Sequence, residues 1–136
     1  MENGSSSSIV YIDTSALIKL VIDEPETDPL REELAQWQNY LASELVVIEL
    51  FRSVRKFDIQ LLEIASNIAT GLSLSPITRQ ITALASTIEP VHLRSLEAIH
   101  LATALMYSKH LDAFITYDRR LCEAAKSVGI KVLSPT

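Results

Sequence analysis

The chain contains two short, mostly apolar runs, Ile9 to Ile12 and Ala113 to Tyr117, and a last strand-like stretch, Ile130 to Leu133, each too short for a stable helix. Runs of this kind fit strands buried on both faces, and such strands belong to parallel sheets whose connecting helices cover both sides. The first run ends at Asp13-Thr14-Ser15 and hands over to a helical stretch, Ala16 to Ile22. The second ends at Asp118 and hands over to another, Arg119 to Ser127, which Gly129 stops. Two carboxylates therefore stand where a strand gives way to a helix.

Most of the sequence between these runs reads as helix. Asp28 and Pro29 form an N-cap and first-turn pair for a helix whose apolar face is Leu30, Leu34, Trp37 and Leu41. Ser43 caps a helix running to about Lys56, and Asp58 caps the next, which carries Ile59, Leu62, Ala65 and Ile68 and ends at Gly71. Leu72-Ser73-Leu74-Ser75 alternates like a short strand. Ser75-Pro76 starts a helix with Ile77, Ile81, Leu84, Ala85 and Ile88 on one side, Pro90 interrupts it, and Ser95 caps a helix from Leu96 to Ser108. The expectation is one α/β domain with a central parallel sheet over residues 9–136, behind a flexible lead-in, Met1 to Ser8.

Composition narrows the class. With 136 residues, 48% of them hydrophobic, the chain can build one core without staples. Cys122 is the sole cysteine, so no intrachain disulfide forms and a reducing cytoplasmic setting is expected. The longest uncharged run, Ile64 to Thr78, contains Gly71 and Pro76 and is too short to span a membrane, and the polar start lacks the pattern of a signal peptide. A net charge of −5 argues against a uniformly basic nucleic-acid-binding surface. Yet residues 1–49 hold ten acids and two bases, whereas residues 50–136 hold seven acids and ten bases, which leaves room for a basic rim around an acidic site.

Ligands of an open parallel sheet bind outside the carboxyl ends of its strands, where Asp13 and Asp118 fall. Each has a structural alternative, the capping of the helix that follows it. Glu49 sits within Val46-Val47-Ile48-Glu49-Leu50-Phe51, where a carboxylate needs cations or hydrogen bonds to offset its desolvation, or else pairs with Arg52 on an exposed helix side. Glu97 either joins such a site or complements the dipole at a helix start. Four carboxylates in one cleft repel one another, so they call for a divalent cation, and all-oxygen ligands suit Mg²⁺, with Mn²⁺ as the alternative. Such ions bind phosphate oxygens and activate water, which points to phosphodiester hydrolysis.

The ordered segments Tyr11-Ile12-Asp13-Thr14-Ser15-Ala16-Leu17, Glu49 in its helix, Leu96-Glu97-Ala98-Ile99-His100-Leu101-Ala102-Thr103-Ala104 and Ile115-Thr116-Tyr117-Asp118-Arg119-Arg120-Leu121 resemble the PIN domain of VapC-type toxins over residues 9–136. The resemblance implies a three-layer α/β/α PIN-like fold and a Mg²⁺- or Mn²⁺-dependent endoribonuclease. It also implies a homodimer held inactive by a cognate VapB-type antitoxin. Asp13, Glu49, Glu97 and Asp118 match the family's acidic quartet, with Asp13 and Asp118 holding the main metal and Glu49 and Glu97 completing its shell or orienting the attacking water. Thr14 and Ser15 match hydroxyls beside the first acid and Thr116 one that positions a carboxylate or water; local turn capping is the alternative for these hydroxyls. Glu97 departs from the pattern, since the family's third acid is usually Asp, and the extra methylene implies an altered metal preference. The implied RNA products carry 5′-phosphate and 3′-hydroxyl ends.

Arg52, Arg55, Lys56, Arg79, Arg94, Arg119 and Arg120 are candidates for RNA phosphate contacts, with Arg52 and Arg119 foremost because they neighbour acidic positions. Aromatic residues make up only 6%, so base stacking is not the main source of RNA affinity. Glu97-x-x-His100 and Glu89-x-x-His92 have the spacing of di-iron ligands, but they lie too close together and Pro90 breaks the first, so His100 is expected to be a hydrogen-bonded interior side chain. Leu34, Trp37, Leu41 and Leu62 serve either the core or a partner. Two other functions compete: a non-catalytic PIN-fold interaction module, and a Mg²⁺-dependent phosphoacceptor domain, which lacks a neighbouring acid pair at Asp13.

Overall fold

Strand β1, Ile9–Ile12, alternates so that Val10 and Ile12 enter one half of the core and Tyr11 the other, all three buried. The computed structural model describes residues 8–136. Of the expected lead-in, residues 1–7 lie outside the described residues, while the Ser8 carbonyl accepts a backbone bond from Asn39 at 3.1 Å. After β1 come helices α1 (Thr14–Lys19) and α2 (Thr27–Leu34), strand β2 (Asn39–Ser43), and helix α3 (Leu45–Phe57). A 3-10 turn (Ile59–Leu61) leads into α4 (Leu62–Thr70) and strand β3 (Ser73–Ser75). The second half runs α5 (Arg79–Thr87), α6 (Ser95–Met106), β4 (Ala113–Ile115), α7 (Arg119–Ser127) and β5 (Val132–Leu133).

The five strands pair in parallel in the order β3-β2-β1-β4-β5. The chain therefore builds outward from β1 through β2 to β3, then returns to the other side of β1 for β4 and β5. Alternation carries both halves of the core: Val10, Ala42 and Ile115 pack with residues of α1 to α4, and Tyr11, Leu41 and Phe114 pack with residues of α6 and α7. This is the expected three-layer arrangement, with a sheet buried on both faces by its own crossover helices.

Three local expectations are corrected. The helix through Leu41 stops at Leu34, and residues 39–43 form β2 instead, because Tyr40, Leu41 and Ala42 bury as a central strand between β1 and β3. Helix α5 begins at Arg79 rather than at Pro76; Thr78 is the cap, its hydroxyl accepting from Ile81 N–H at 3.2 Å. Helix α2 begins at Thr27 with Glu26 as its N-cap rather than Asp28, and the Thr27 hydroxyl donates to the Lys19 carbonyl at 2.7 Å. Gly129 does end α7, at φ +86°, a left-handed conformation that glycine adopts without penalty.

Candidate active site

The reversal of strand order falls between β1 and β4, and a crevice opens there at the carboxyl ends of the strands. Asp13 follows β1 directly, and Asp118 stands three residues beyond β4. Glu49 comes from the middle of α3 and Glu97 from the first turn of α6. All four carboxylates line one cleft of about 550 Å³, together with Thr14 and Ser15. Ile48 and Leu96, 60% and 48% exposed, form apolar lips on its mouth, which sequence reading had not singled out.

The carboxylates are held differently. Asp13 is buried and makes no side-chain cap to α1; its Oδ1 accepts instead from the Ser15 hydroxyl at 2.7 Å. Burial pushes its carboxyl up to about 6, against the pull of His100 and of the Ser15 and Thr116 hydroxyls, and the charge of Asp118 adds to the rise. Helix capping thus fails as its explanation. Asp118 does cap α7, its Oδ1 accepting from Leu121 N–H at 3.0 Å. Glu97 reaches back to the Arg94 N–H at 3.0 Å, as the third residue of a capping box does, and Arg120 stands 3.9 Å away.

Glu49 pairs not with Arg52 but with α6: Oε1 lies 2.8 Å from His100 Nε2 and accepts from Thr14 Oγ1 at 2.5 Å. Burial raises the Glu49 carboxyl, but the bonds from His100 and Thr14 and the imidazole beside it outweigh burial and leave it below its ordinary value. Thr14 therefore serves a carboxylate on another helix rather than its own turn. The Ser15 hydroxyl also accepts from Tyr117 N–H at 2.9 Å and stands 3.3 Å from Thr116 Oγ1. Thr116 is buried behind Ser15, off the cleft wall, and accepts from Asp118 N–H at 3.0 Å. His100 is the hydrogen-bonded interior histidine that the sequence suggested, but its bond to Glu49 was not foreseen.

Among the described residues, no three carboxylate, imidazole or thiol groups close on one point as a metal cage would. The four acids share a cleft in which Glu97 and Asp118 each commit one oxygen to a helix start and Glu49 one to His100, leaving each a second oxygen. The residues nonetheless fit a hard cation. Among the described residues, Asp13 is a buried carboxylate with hydroxyl partners and no Lys or Arg side chain bonded to it, in a cleft where oxygens of Thr14, Ser15, Glu49, Glu97 and Asp118 outnumber the one imidazole, His100. Mg²⁺ characteristically takes one or two carboxylates and keeps its waters.

Basic residues flank the cleft on both sides. Arg52 lies on its wall and continues into a shallow depression with Arg55 and Lys56 along α3. At the other end Glu97 and Asp118 adjoin a depression lined by Arg94, Arg119 and Arg120. Arg79 opens α5 and lines none of these surfaces. Leu34, Trp37 and Leu62 are partly buried and pack against the core.

A family model described as PIN domain matches residues 10–127. The chain is 42% identical over 132 residues to Ribonuclease VapC47 of Mycobacterium tuberculosis, covering 93% of this chain and 97% of that protein. It is 34% identical over 127 residues to Ribonuclease VapC46 of the same species, covering 93% and 98%. Among solved structures, M. tuberculosis VapC20, described as a Sarcin-Ricin loop cleaving toxin, superposes with a TM-score of 0.72 at 15% identity, over 93% of this chain and 99% of that one. VapBC2 from Rickettsia felis, bound to a DNA fragment from its promoter, gives 0.67 at 14% identity, over 94% and 99%.

Proposed function

The chain belongs to the PIN domain family, and on that footing we propose that it is an endoribonuclease toxin that hydrolyses RNA phosphodiester bonds and is neutralised by a VapB-type antitoxin. The observation that carries the reading is the position of Asp13: a buried carboxylate with a raised pKa, at the switch point of the sheet, in a cleft lined by three further acids. The chain's nearly full-length likeness to proteins named as ribonucleases supports RNA as the substrate class.

Asp13 and Asp118 would hold Mg²⁺ or Mn²⁺, and Glu49 and Glu97 would complete its shell or orient the attacking water. When bound, the cation supplies Lewis-acid stabilisation of the phosphate and lowers the pKa of water. Ser15 holds the Asp13 carboxylate through Oδ1, and Thr116 holds the Asp118 backbone, so both hydroxyls keep the strand ends in register. Arg52 on the cleft wall and Arg119 in the depression beside Glu97 and Asp118 would contact RNA phosphates flanking the scissile one. The exposed Ile48 and Leu96 would meet an apolar segment of the antitoxin. A homodimer completes the reading.

Because water is the nucleophile, the substrate 2′-hydroxyl takes no part in bond cleavage. End analysis of cleaved RNA is therefore expected to give 5′-phosphate and 3′-hydroxyl termini. Cyclic 2′,3′-phosphate termini would overturn the mechanism.

A further inference from the structure

The group that holds Glu49 is itself held from deeper in the core. His100 is 3% exposed, and while its Nε2 faces Glu49, its Nδ1 lies 2.7 Å from the Tyr11 hydroxyl. Tyr11 is fully buried, its ring stacked on Phe114 at 4.8 Å, and its oxygen accepts the Ser43 N–H at 3.1 Å. A backbone N–H can only donate, so the phenol oxygen is an acceptor there and keeps its own hydrogen for the nearest acceptor, His100 Nδ1. An imidazole that accepts at Nδ1 carries its hydrogen on Nε2 and donates it to Glu49 Oε1. Thr14 donates to the same oxygen, so both bonds fall on Oε1 and Oε2 is left for the cleft.

We propose that Tyr11 and His100 are positioning residues: the chain from Ser43 N–H through the Tyr11 hydroxyl fixes the His100 tautomer, and that tautomer fixes the Glu49 carboxylate in the cleft. The proposal rests on the reading of this cleft as the nuclease site. It explains why a histidine of α6 that lines the cleft and a fully buried tyrosine of β1 are bonded in series to an acid on α3. The bond from His100 to Glu49 also ties the two helical layers together above the sheet edge.

Long-range ¹H–¹⁵N spectra of the imidazoles in the full, metal-free chain test the first half directly. The native protein should show the His100 hydrogen on Nε2 and none on Nδ1, and Tyr11→Phe, which keeps the stacked ring, should lose that single form. Hydrogen on Nδ1 of the native His100, with or without one on Nε2, as would follow if the phenol hydrogen turned toward Thr103, overturns the proposal. Cleavage of a structured cellular RNA pool tests the second half. Tyr11→Phe and His100→Ala should lower the rate at saturating RNA by about tenfold or more, through misplacement of Glu49, with KM for RNA unchanged. His100→Gln, whose amide can donate to Glu49, should recover much of the loss. Because both residues act through Glu49, Tyr11→Phe should cost nothing further in a Glu49→Gln background; a full additional loss there contradicts the proposal. If the native protein cuts no RNA, the nuclease reading fails, while the tautomer measurement still decides the hydrogen-bonded chain.

Discussion

Asp13 and Glu49 are driven in opposite directions by their surroundings: burial raises the first to about 6, and hydrogen bonds from His100 and Thr14 hold the second below its ordinary value despite burial. For Asp13 the consequence is a pH-dependent cost. Its carboxyl titrates near 3.8 in the unfolded chain and near 6 in the fold, so its protonated form favours the native state below pH 3.8 and that advantage is lost as pH rises through about 6. The loss amounts to at most about 3 kcal/mol. Asp13→Asn should therefore raise the melting temperature of the metal-free protein at pH 8 and leave it little changed at pH 4, as thermal denaturation at the two pH values would show. A destabilised variant at pH 8 would contradict this account of the buried charge. Glu97 carries two roles that one substitution separates. Glutamine can still reach the Arg94 N–H, so Glu97→Gln should keep stability within about 0.5 kcal/mol while lowering metal-supported RNA cleavage. Unchanged cleavage would make Glu97 a capping residue alone.

Among the elements, β1, β4 and α7 were legible because apolar β-branched or aromatic residues stop abruptly at an aspartate, and a helical pattern with a glycine stop follows Asp118. Strand β2 was not. Leu34, Trp37 and Leu41 happen to keep helical spacing, and only burial between β1 and β3 shows that the register changes after Trp37. Pro76 likewise looked like a helix start, whereas the hydroxyl that satisfies a free N–H belongs to Thr78. The charged elements carry their own prediction. In an Asp13→Asn background, replacing Arg52, Arg55 and Lys56 of α3 by alanine, or Arg119 and Arg120 of α7, should weaken RNA binding. Each lost phosphate contact should flatten the salt dependence of log K by about 0.7. Alanine at the exposed Lys109, Lys126 and Lys131, outside the basic flanks of the cleft, should do neither. Equal effects from all three sets would argue for diffuse attraction instead of a track through the cleft.

At the scale of the molecule, the order β3-β2-β1-β4-β5 is what makes a site from residues more than a hundred positions apart. The two strand-end aspartates could be paired from the sequence, because a parallel sheet sends every strand's carboxyl end to one edge. The contacts of Glu49 could not, because they depend on helices from opposite layers meeting above that edge and on a histidine otherwise indistinguishable from core. The same topology places basic residues of α3 and α7 beside the acids, so a chain of net charge −5 still presents cationic flanks at its cleft. Central to the proposed function is the role assigned to Asp13, with a divalent cation, in cutting RNA. The most direct measurement incubates the purified, antitoxin-free protein and its Asp13→Asn variant with a pool of structured cellular RNAs in Mg²⁺, Mn²⁺ or EDTA. Cleavage by the native protein in either metal, abolished by EDTA and by Asp13→Asn, is the predicted result; a folded native protein that leaves the RNA intact in both metals would contradict it and make a non-catalytic PIN fold the better account.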